Sequence, residues 1–188
     1  VNASSTEPLS SNQQPEGCVT VWNLKQFRRL HTLPLGGNSP PAVNALAFNH
    51  NGKIIATACA DGMVRLFDMG ARTHIMGWPA HTGGASAFSI CFGHDQNSIF
   101  SLGSDGRMVE WSLHSLKSEI RTVDVAPVWG DSYSQAIAGQ GAGTSVLPEL
   151  ALDQQGRCAL LTSPNQAAPL VQLEEGYDSC IVSTLEGH

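Results

Sequence analysis

The chain has 188 residues, of which 41% are apolar, and its ten basic and 16 acidic residues give a formal net charge of −6. One domain or part of one is expected at this length, and the absence of clustered Lys and Arg argues against a nucleic-acid surface. The sequence has no basic amphipathic stretch for a membrane surface and no apolar run long enough to span a bilayer, so no direct membrane insertion is expected.

The first predicted elements are a polar segment and two strands. Residues 1–16 are rich in Ser, Asn, Gln and Pro and are predicted to form a disordered tail or a long loop. Strands over residues 17–24 and 27–33 then make half of a four-stranded unit, within 17–33. The chain starts without Met and ends in Glu186-Gly187-His188, which resembles the start of a further unit, so a fragment of a longer protein is expected.

Two complete four-stranded units follow, each with an Asp-Gly hairpin turn between its second and third strands. The turns are Asp61-Gly62 and Asp105-Gly106. The first unit, within 42–78, has predicted strands at 42–49, 54–59, 63–68 and 73–78. The second unit, within 85–123, has predicted strands at 85–92, 98–103, 108–113 and 118–123.

The repeat pattern then weakens. Residues 126–146 are rich in Gly, Ala and Ser and are predicted to be a loop insertion; their Gly139-Gln140-Gly141 run lacks the Lys of a phosphate-binding loop. Residues 149–185 are predicted to form a degenerate unit with strands at 150–152, 157–162, 169–173 and 180–185. This unit has Ser163-Pro164-Asn165-Gln166 where an Asp-Gly turn would stand.

Landmarks of the two complete units recur at one spacing of about 44 residues, typical of WD repeats. The pairs are Asp61 with Asp105, Phe67 with Trp111, and Phe48 with Phe92. We therefore predict an all-β fold: a partial WD-repeat β-propeller of about three four-stranded blades spanning residues 17–188.

Four polar side chains in and before the second complete unit are predicted to form one buried structural network, because buried polar groups need partners. They are His81, Ser101, Asp105 and Trp111. The preceding unit has Thr57 and Asp61 at the matching positions. It has Phe67 instead of Trp, and Gly37 where the His would be, so it is expected to rest on apolar packing.

The sequence resembles the WD-repeat protein 91 family. The similar segments are residues 47–52, 60–69, 77–81 and 105–111, and the resemblance is strongest over 17–117. It implies part of a seven-bladed carboxy-terminal propeller of an endosomal regulator. It also implies WD-repeat protein 81, the class III phosphatidylinositol 3-kinase complex and a late-endosomal Rab GTPase as partners. By the same resemblance the protein is cytoplasmic and peripheral on early and late endosomes, and it promotes conversion of the former into the latter.

A protein-interaction scaffold without catalysis is therefore the predicted function, because a propeller binds through its rims. The interaction face is predicted from side chains near the Asp-Gly turns and the loops before each first strand: Met63, Arg65, Thr82, Arg107 and Glu110. The alternative is a substrate receptor of a cullin ubiquitin ligase or another WD-repeat adaptor, although the Trp-Asp-x-Arg motif of cullin receptors is absent here. No catalytic residue, metal ligand or cofactor is predicted: nucleophile elbows and metal-ligand spacings are missing, and the five scattered cysteines are expected to be reduced.

Overall fold

The structure is a computed structural model that describes residues 18–36, 39–115, 118–129, 147–162, 167–173 and 181–186. The predicted tail at 1–16, most of the predicted insertion at 126–146 and the turn at 163–166 lie outside these ranges. The chain divides into two compact units, residues 1–40 and 41–188. Its described elements are β1 (Cys18–Asn23), β2 (Arg28–Pro34), β3 (Val43–Phe48), β4 (Ile54–Cys59), β5 (Met63–Asp68), β6 (Thr73–Pro79), β7 (Ala87–Phe92), β8 (Ser98–Gly103), β9 (Arg107–Ser112), β10 (Glu119–Asp124), α1 (Ala126–Trp129), β11 (Leu150–Leu152), β12 (Cys158–Leu161), β13 (Ala167–Gln172) and β14 (Ile181–Glu186).

Within residues 18–36 of the first unit, β1 and β2 form an antiparallel hairpin. Asn23 and Arg28 are the last paired residues before the turn, and the register shifts between Val21 and Trp22. The hairpin turn is held by the Asn23 side chain, whose Oδ1 accepts the backbone N–H groups of Lys25 and Gln26, both at 2.9 Å. Such an Asn turn mimics a backbone turn, which explains why the chain reverses here without glycine.

The described part of the second unit contains three four-stranded antiparallel sheets, each made of strands consecutive in sequence. We name them sheet 1 (β3–β6), sheet 2 (β7–β10) and sheet 3 (β11–β14). This architecture confirms the predicted all-β fold, a partial WD-repeat propeller. Strands β4, β5, β8 and β11 occupy the predicted residues. No helix in the described part of the chain is long and apolar enough to cross a membrane.

Apolar side chains from neighbouring sheets form two buried clusters. Strand β7 packs against β3 and β4 of sheet 1 and against β11 of sheet 3. The first cluster joins sheets 1 and 2 and includes Trp78 and Trp111, whose rings meet edge-to-face with centroids 5.9 Å apart. The second joins sheets 2 and 3 around Leu102, Met108 and Leu161. Strands with continuous apolar runs are thus explained by burial on both faces.

Hydrogen bonds also cross from sheet to sheet. The Asn44 side-chain amide donates to the carbonyl oxygen of Ala87 at 2.8 Å, and the Ser86 hydroxyl donates to the carbonyl oxygen of Ala60 at 2.8 Å. Between sheets 2 and 3, the backbone N–H of Leu150 donates to Ser89 Oγ at 3.1 Å in a buried position. Each sheet therefore depends on its neighbour for polar as well as apolar contacts.

Candidate functional site

The β8–β9 hairpin of sheet 2 positions the predicted network. Gly106 takes a φ of +73°, which glycine adopts without strain, and its N–H donates to the Gly103 carbonyl at 3.1 Å. Asp105 precedes it in the turn, and its Oδ1 accepts the backbone N–H of Arg107 at 3.1 Å. Ser101 lies on β8 and Trp111 on β9, so the hairpin carries three of the four predicted groups.

His81 enters this hairpin from the connection between sheets 1 and 2. Its Nδ1 lies 3.0 and 3.1 Å from the two carboxylate oxygens of Asp105, and its Nε2 lies 3.0 Å from Ser101 Oγ. The Trp111 indole N–H donates to the same Ser101 oxygen at 2.9 Å. The structure thus brings the four side chains together in one continuous chain of hydrogen bonds.

The chain of hydrogen bonds has one direction when the imidazole is neutral. An ionised carboxylate only accepts, so the proton is assigned to Nδ1 of His81, which donates to Asp105. Nε2 then accepts the hydroxyl proton of Ser101, whose oxygen is left to accept from Trp111. Every polar hydrogen in the network has an acceptor in this arrangement. A second proton on the imidazole would remove the acceptor of the Ser101 hydroxyl.

Burial makes these partners necessary. His81 is 2% exposed, Ser101 0% and Trp111 4%. Burial would raise the pKa of Asp105, but the hydrogen bond to His81, the backbone N–H of Arg107 and the charge of Arg107 outweigh it, and the pKa lies below its usual range. The network is therefore built around an ionised carboxylate.

Two glycines make room for His81. A Cβ at Gly103 would overlap the imidazole ring, and a Cβ at Gly62 would overlap the backbone oxygen of His81. Gly62 also has a φ of +77° and accepts the N–H of His81 at its carbonyl at 3.0 Å. His81 thus packs between the β4–β5 turn of sheet 1 and the β8–β9 hairpin of sheet 2. The network therefore lies at the boundary between the two sheets.

The matching positions of sheet 1 are occupied differently. Thr57 is fully buried, and its hydroxyl lies 3.6 Å from Cys59 Sγ and donates to the Arg65 carbonyl at 3.4 Å. Asp61 does not meet Thr57; its two oxygens accept from Arg65 at 3.1 and 2.6 Å. Burial opposes ionisation of Asp61, but these bonds and the N–H of Met63 lower its pKa. An ion pair replaces the four-membered network here.

The five side chains predicted for the interaction face differ in accessibility. Thr82 is exposed, while Met63 and Arg107 are partly exposed. Arg107 contacts Glu119 Oε2 and Thr122 Oγ1, both at 3.4 Å. The other two side chains are mostly covered by the sheets: 13% of Arg65 is exposed, and 14% of Glu110.

Glu110 has a partner that sequence reasoning missed. Its Oε2 lies 3.5 Å from Nε of Arg121, the residue opposite it on β10. Burial raises the pKa of Glu110, and the Ser98 hydroxyl and the Arg121 charge only partly offset this rise. The signal that could have found the pair is the register of β9 and β10, which places opposite charges side by side.

The order Ser101, His81, Asp105 matches the contacts of a hydrolase triad. Two observations distinguish it from the triad of a hydrolase. Ser101 is fully buried, so no acyl group can reach its oxygen. Its oxygen also accepts the indole N–H of Trp111, so the hydroxyl is bonded on both sides within the network. The three residues therefore hold the hairpin to the preceding loop.

Other chemistry-bearing side chains in the described ranges do not gather into a site. No group of three or more His, Cys, Asp or Glu residues there is placed to hold a metal ion. The described cysteines are free thiols, and burial raises the pKa of Cys91 to about 12. A thiol with this pKa is protonated and behaves as a small apolar side chain.

Comparison with known proteins identifies the repeat. The family model described as "WD domain, G-beta repeat" matches residues 27–68. The chain contains a WD repeat. The WD repeat-containing protein 91 of Gallus gallus is 40% identical over 105 residues, which are 56% of this chain and 13% of that protein. The protein of that name from Danio rerio is 39% identical over 52% of the chain.

A WD-repeat relative matches a longer part of the chain. The WD repeat-containing protein 91 homolog of Dictyostelium discoideum is 28% identical over 174 residues, covering 92% of this chain and 21% of that protein. The chain thus covers 13–21% of the length of these relatives. WD repeats indicate a protein-interaction domain.

Proposed function

We propose that this chain is part of a non-catalytic interaction scaffold that regulates endosomal phosphatidylinositol 3-kinase activity and early-to-late endosome conversion. The observation that carries the proposal is the similarity to WD repeat-containing protein 91, at 38–40% identity over about half of the chain. The proposed partners are WD-repeat protein 81, the class III kinase complex and a late-endosomal Rab GTPase. The proposed location is the cytoplasmic face of early and late endosomes.

The end of sheets 1 and 2 that carries the Asp-Gly turns is the proposed partner surface. The loop of Thr82, Gly83 and Gly84 is exposed there, and both glycines have positive φ values of +70° and +82°. Arg107 adds a cation that is 38% exposed. Rim loops on a rigid scaffold are where propellers bind, because they project side chains without disturbing the sheets.

Affinity purification of the full-length protein from cells, with mass spectrometry of the recovered proteins, tests this function. We expect a second large WD-repeat protein together with kinase subunits. Thr82→Arg and Arg107→Ala on the proposed surface are expected to reduce their recovery. Lys53→Glu is the matched control, because Lys53 is exposed in the β3–β4 turn at the opposite end of sheet 1. Recovery of a cullin and its adaptor instead would overturn the function.

A further inference from the structure

One row of side chains crosses sheet 2 on the face that packs against sheet 3. Its members are paired across neighbouring strands: Cys91, Phe100, Glu110 and Arg121. The matching row of sheet 1, on the face that packs against sheet 2, is apolar throughout: Ala47, Ala56, Leu66 and Met76. The outer half of the row therefore holds an acid and a base at one boundary and two apolar side chains at the other.

The acid and the base in sheet 2 are covered but poorly paired. Only 14% of Glu110 and 19% of Arg121 is exposed, and Oε2 of the acid lies 3.5 Å from Nε of the base. Nη1 of Arg121 is buried and has no acceptor among the described residues. Burial raises the pKa of Glu110, so this carboxylate is less well solvated in the protein than in water. The pair has thus lost its hydration without gaining a full set of hydrogen bonds.

Sheet 3 presents different side chains to sheet 2 from those that sheet 2 presents to sheet 1. Strand pairing and the hydrogen bonds of the matching turns align the two sheets residue by residue. The replacements are Ala159 for Ile99, Leu161 for Ser101 and Val171 for Trp111. Loss of the indole leaves room in the outer part of this boundary for the two long side chains of the ion pair.

The two boundaries therefore differ in what their separation costs. Opening the boundary between sheets 1 and 2 exposes Leu66 and Met76 to water and separates the edge-to-face rings of Trp78 and Trp111. Opening the boundary between sheets 2 and 3 also exposes apolar surface, but it returns a carboxylate and a guanidinium to water, which offsets part of the cost. For the same reason, replacing a buried ion pair with apolar residues often leaves a protein equally stable or more stable.

We propose that the boundary between sheets 2 and 3 is a joint that opens in the folded protein while the boundary between sheets 1 and 2 stays closed. The Glu110–Arg121 pair makes the joint reversible, because water and the closed boundary accommodate its two charges almost equally well. Opening uncovers Cys91 and Phe100, so the joint presents surface that is hidden in the closed form. This joint belongs to the fold of the repeats and does not depend on the proposed endosomal function.

Maleimide labelling of thiols in the full-length protein, resolved by peptide mass spectrometry, tests the joint. Cys91 lies at the boundary between sheets 2 and 3, and burial raises the pKa of its thiol to about 12, so it reacts mainly when the boundary opens. Ala47 is the matching, partly buried residue at the boundary between sheets 1 and 2, so Ala47→Cys places an equivalent thiol there. A second variant, Glu110→Leu with Arg121→Met, gives sheet 2 the apolar pair of sheet 1. A third variant, Glu110→Gln, keeps the size of the acid but removes its charge.

We expect Cys91 to be labelled about tenfold faster than the thiol introduced by Ala47→Cys, a comparison that leaves the ion pair intact. The apolar double variant slows the labelling of Cys91 by about tenfold, and Glu110→Gln accelerates it, because a lone buried cation favours the open form. Cys91 lies two strands, about 10 Å, from Glu110, so neither change touches the thiol.

Melting temperatures establish that each variant is folded. The proposal is overturned if Cys91 and the thiol introduced by Ala47→Cys react at the same rate, whatever the double variant does. It is also overturned if the folded double variant is labelled at Cys91 as fast as the unmodified protein.

Discussion

Replacing Asp105 with Ala removes the acceptor at one end of the hydrogen-bonded network. The Nδ1–H of His81, whose side chain is fully buried, then has no acceptor, and an unsatisfied buried donor costs about 1–3 kcal/mol. The N–H of Arg107 also loses its acceptor but lies at a turn that water reaches. We therefore expect a loss of about 2 kcal/mol, which corresponds to a fall in melting temperature of roughly 4–8 °C for a domain of this size.

Thermal unfolding of the full-length protein, followed through the melting transition of its propeller, measures this loss. Asp61→Ala is the matched control, because Asp61 occupies the same turn position but pairs with Arg65 at a site where 35% of the carboxylate side chain is exposed. Only 13% of Arg65 is exposed, but its guanidinium pairs with a carboxylate at the surface, and surface pairs contribute about 0.2–1 kcal/mol. We expect Asp105→Ala to be clearly more destabilising than Asp61→Ala.

A double-mutant cycle separates the network from other effects. When His81→Ala is combined with Asp105→Ala, the donor and the acceptor leave together, so the double variant is expected to lose less stability than the two single variants added. Equal effects of Asp105→Ala and Asp61→Ala, or strictly additive losses in the cycle, would refute the reasoning that the buried network stabilises this hairpin.

Four further outcomes are expected. The pKa of native Asp105 lies below its ordinary value of 3.8, so the stability that its carboxylate contributes is full above that pH and is lost as pH falls through the lowered pKa. Between pH 5 and 2, the melting temperature of the unmodified protein will therefore fall more steeply than that of Asp105→Ala. Gly103→Ala drives a methyl group into His81 and will cost about 1–3 kcal/mol in the same melting assay, whereas Gly70→Ala, without such an overlap, will cost less. Phe27→Asn places a residue that tolerates a positive φ at the β1–β2 turn, so it will stabilise the protein by about 0.5–1 kcal/mol and raise the melting temperature slightly. An unchanged or lower melting temperature would contradict the strain. The isolated 188 residues will fold poorly, because three sheets do not close a ring; a monomeric fragment that melts cooperatively in calorimetry would contradict this.

The strands of the two complete units could be predicted because local rules agree there. Asp-Gly turns fix the end of β4, the start of β5 and the end of β8, and apolar runs flank each turn. The network could be predicted from the same spacing, since the turn Asp and the hydroxyl on the preceding strand recur in register, and an aromatic residue, Phe67 or Trp111, recurs on the following strand. Sequence sufficed wherever each contact lay within one hairpin or one repeat.

Accessibility could not be predicted in the same way. Arg65 follows a turn, and the sequence predicts it on the interaction face. Its guanidinium instead pairs with Asp61, and only 13% of the arginine side chain is exposed. The space for this pair comes from Gly77, directly opposite Arg65 on β6, where a Cβ would lie 3.2 Å from Cγ of the arginine. This contact depends on the register of a third strand. The exposed Phe27 was missed for the opposite reason: in sequence, an aromatic residue beside a strand indicates packing.

The hydrogen bond from Leu150 to Ser89 has a consequence for how the protein opens. Repeat proteins often lose their units one at a time, because each unit is held mainly by its nearest neighbours. Here a backbone amide of sheet 3 is protected from solvent exchange by a side chain of sheet 2. The deuterium uptake of that amide therefore reports on both sheets at once: local fraying of the β8–β9 hairpin leaves it protected, whereas separation of the two sheets exposes it.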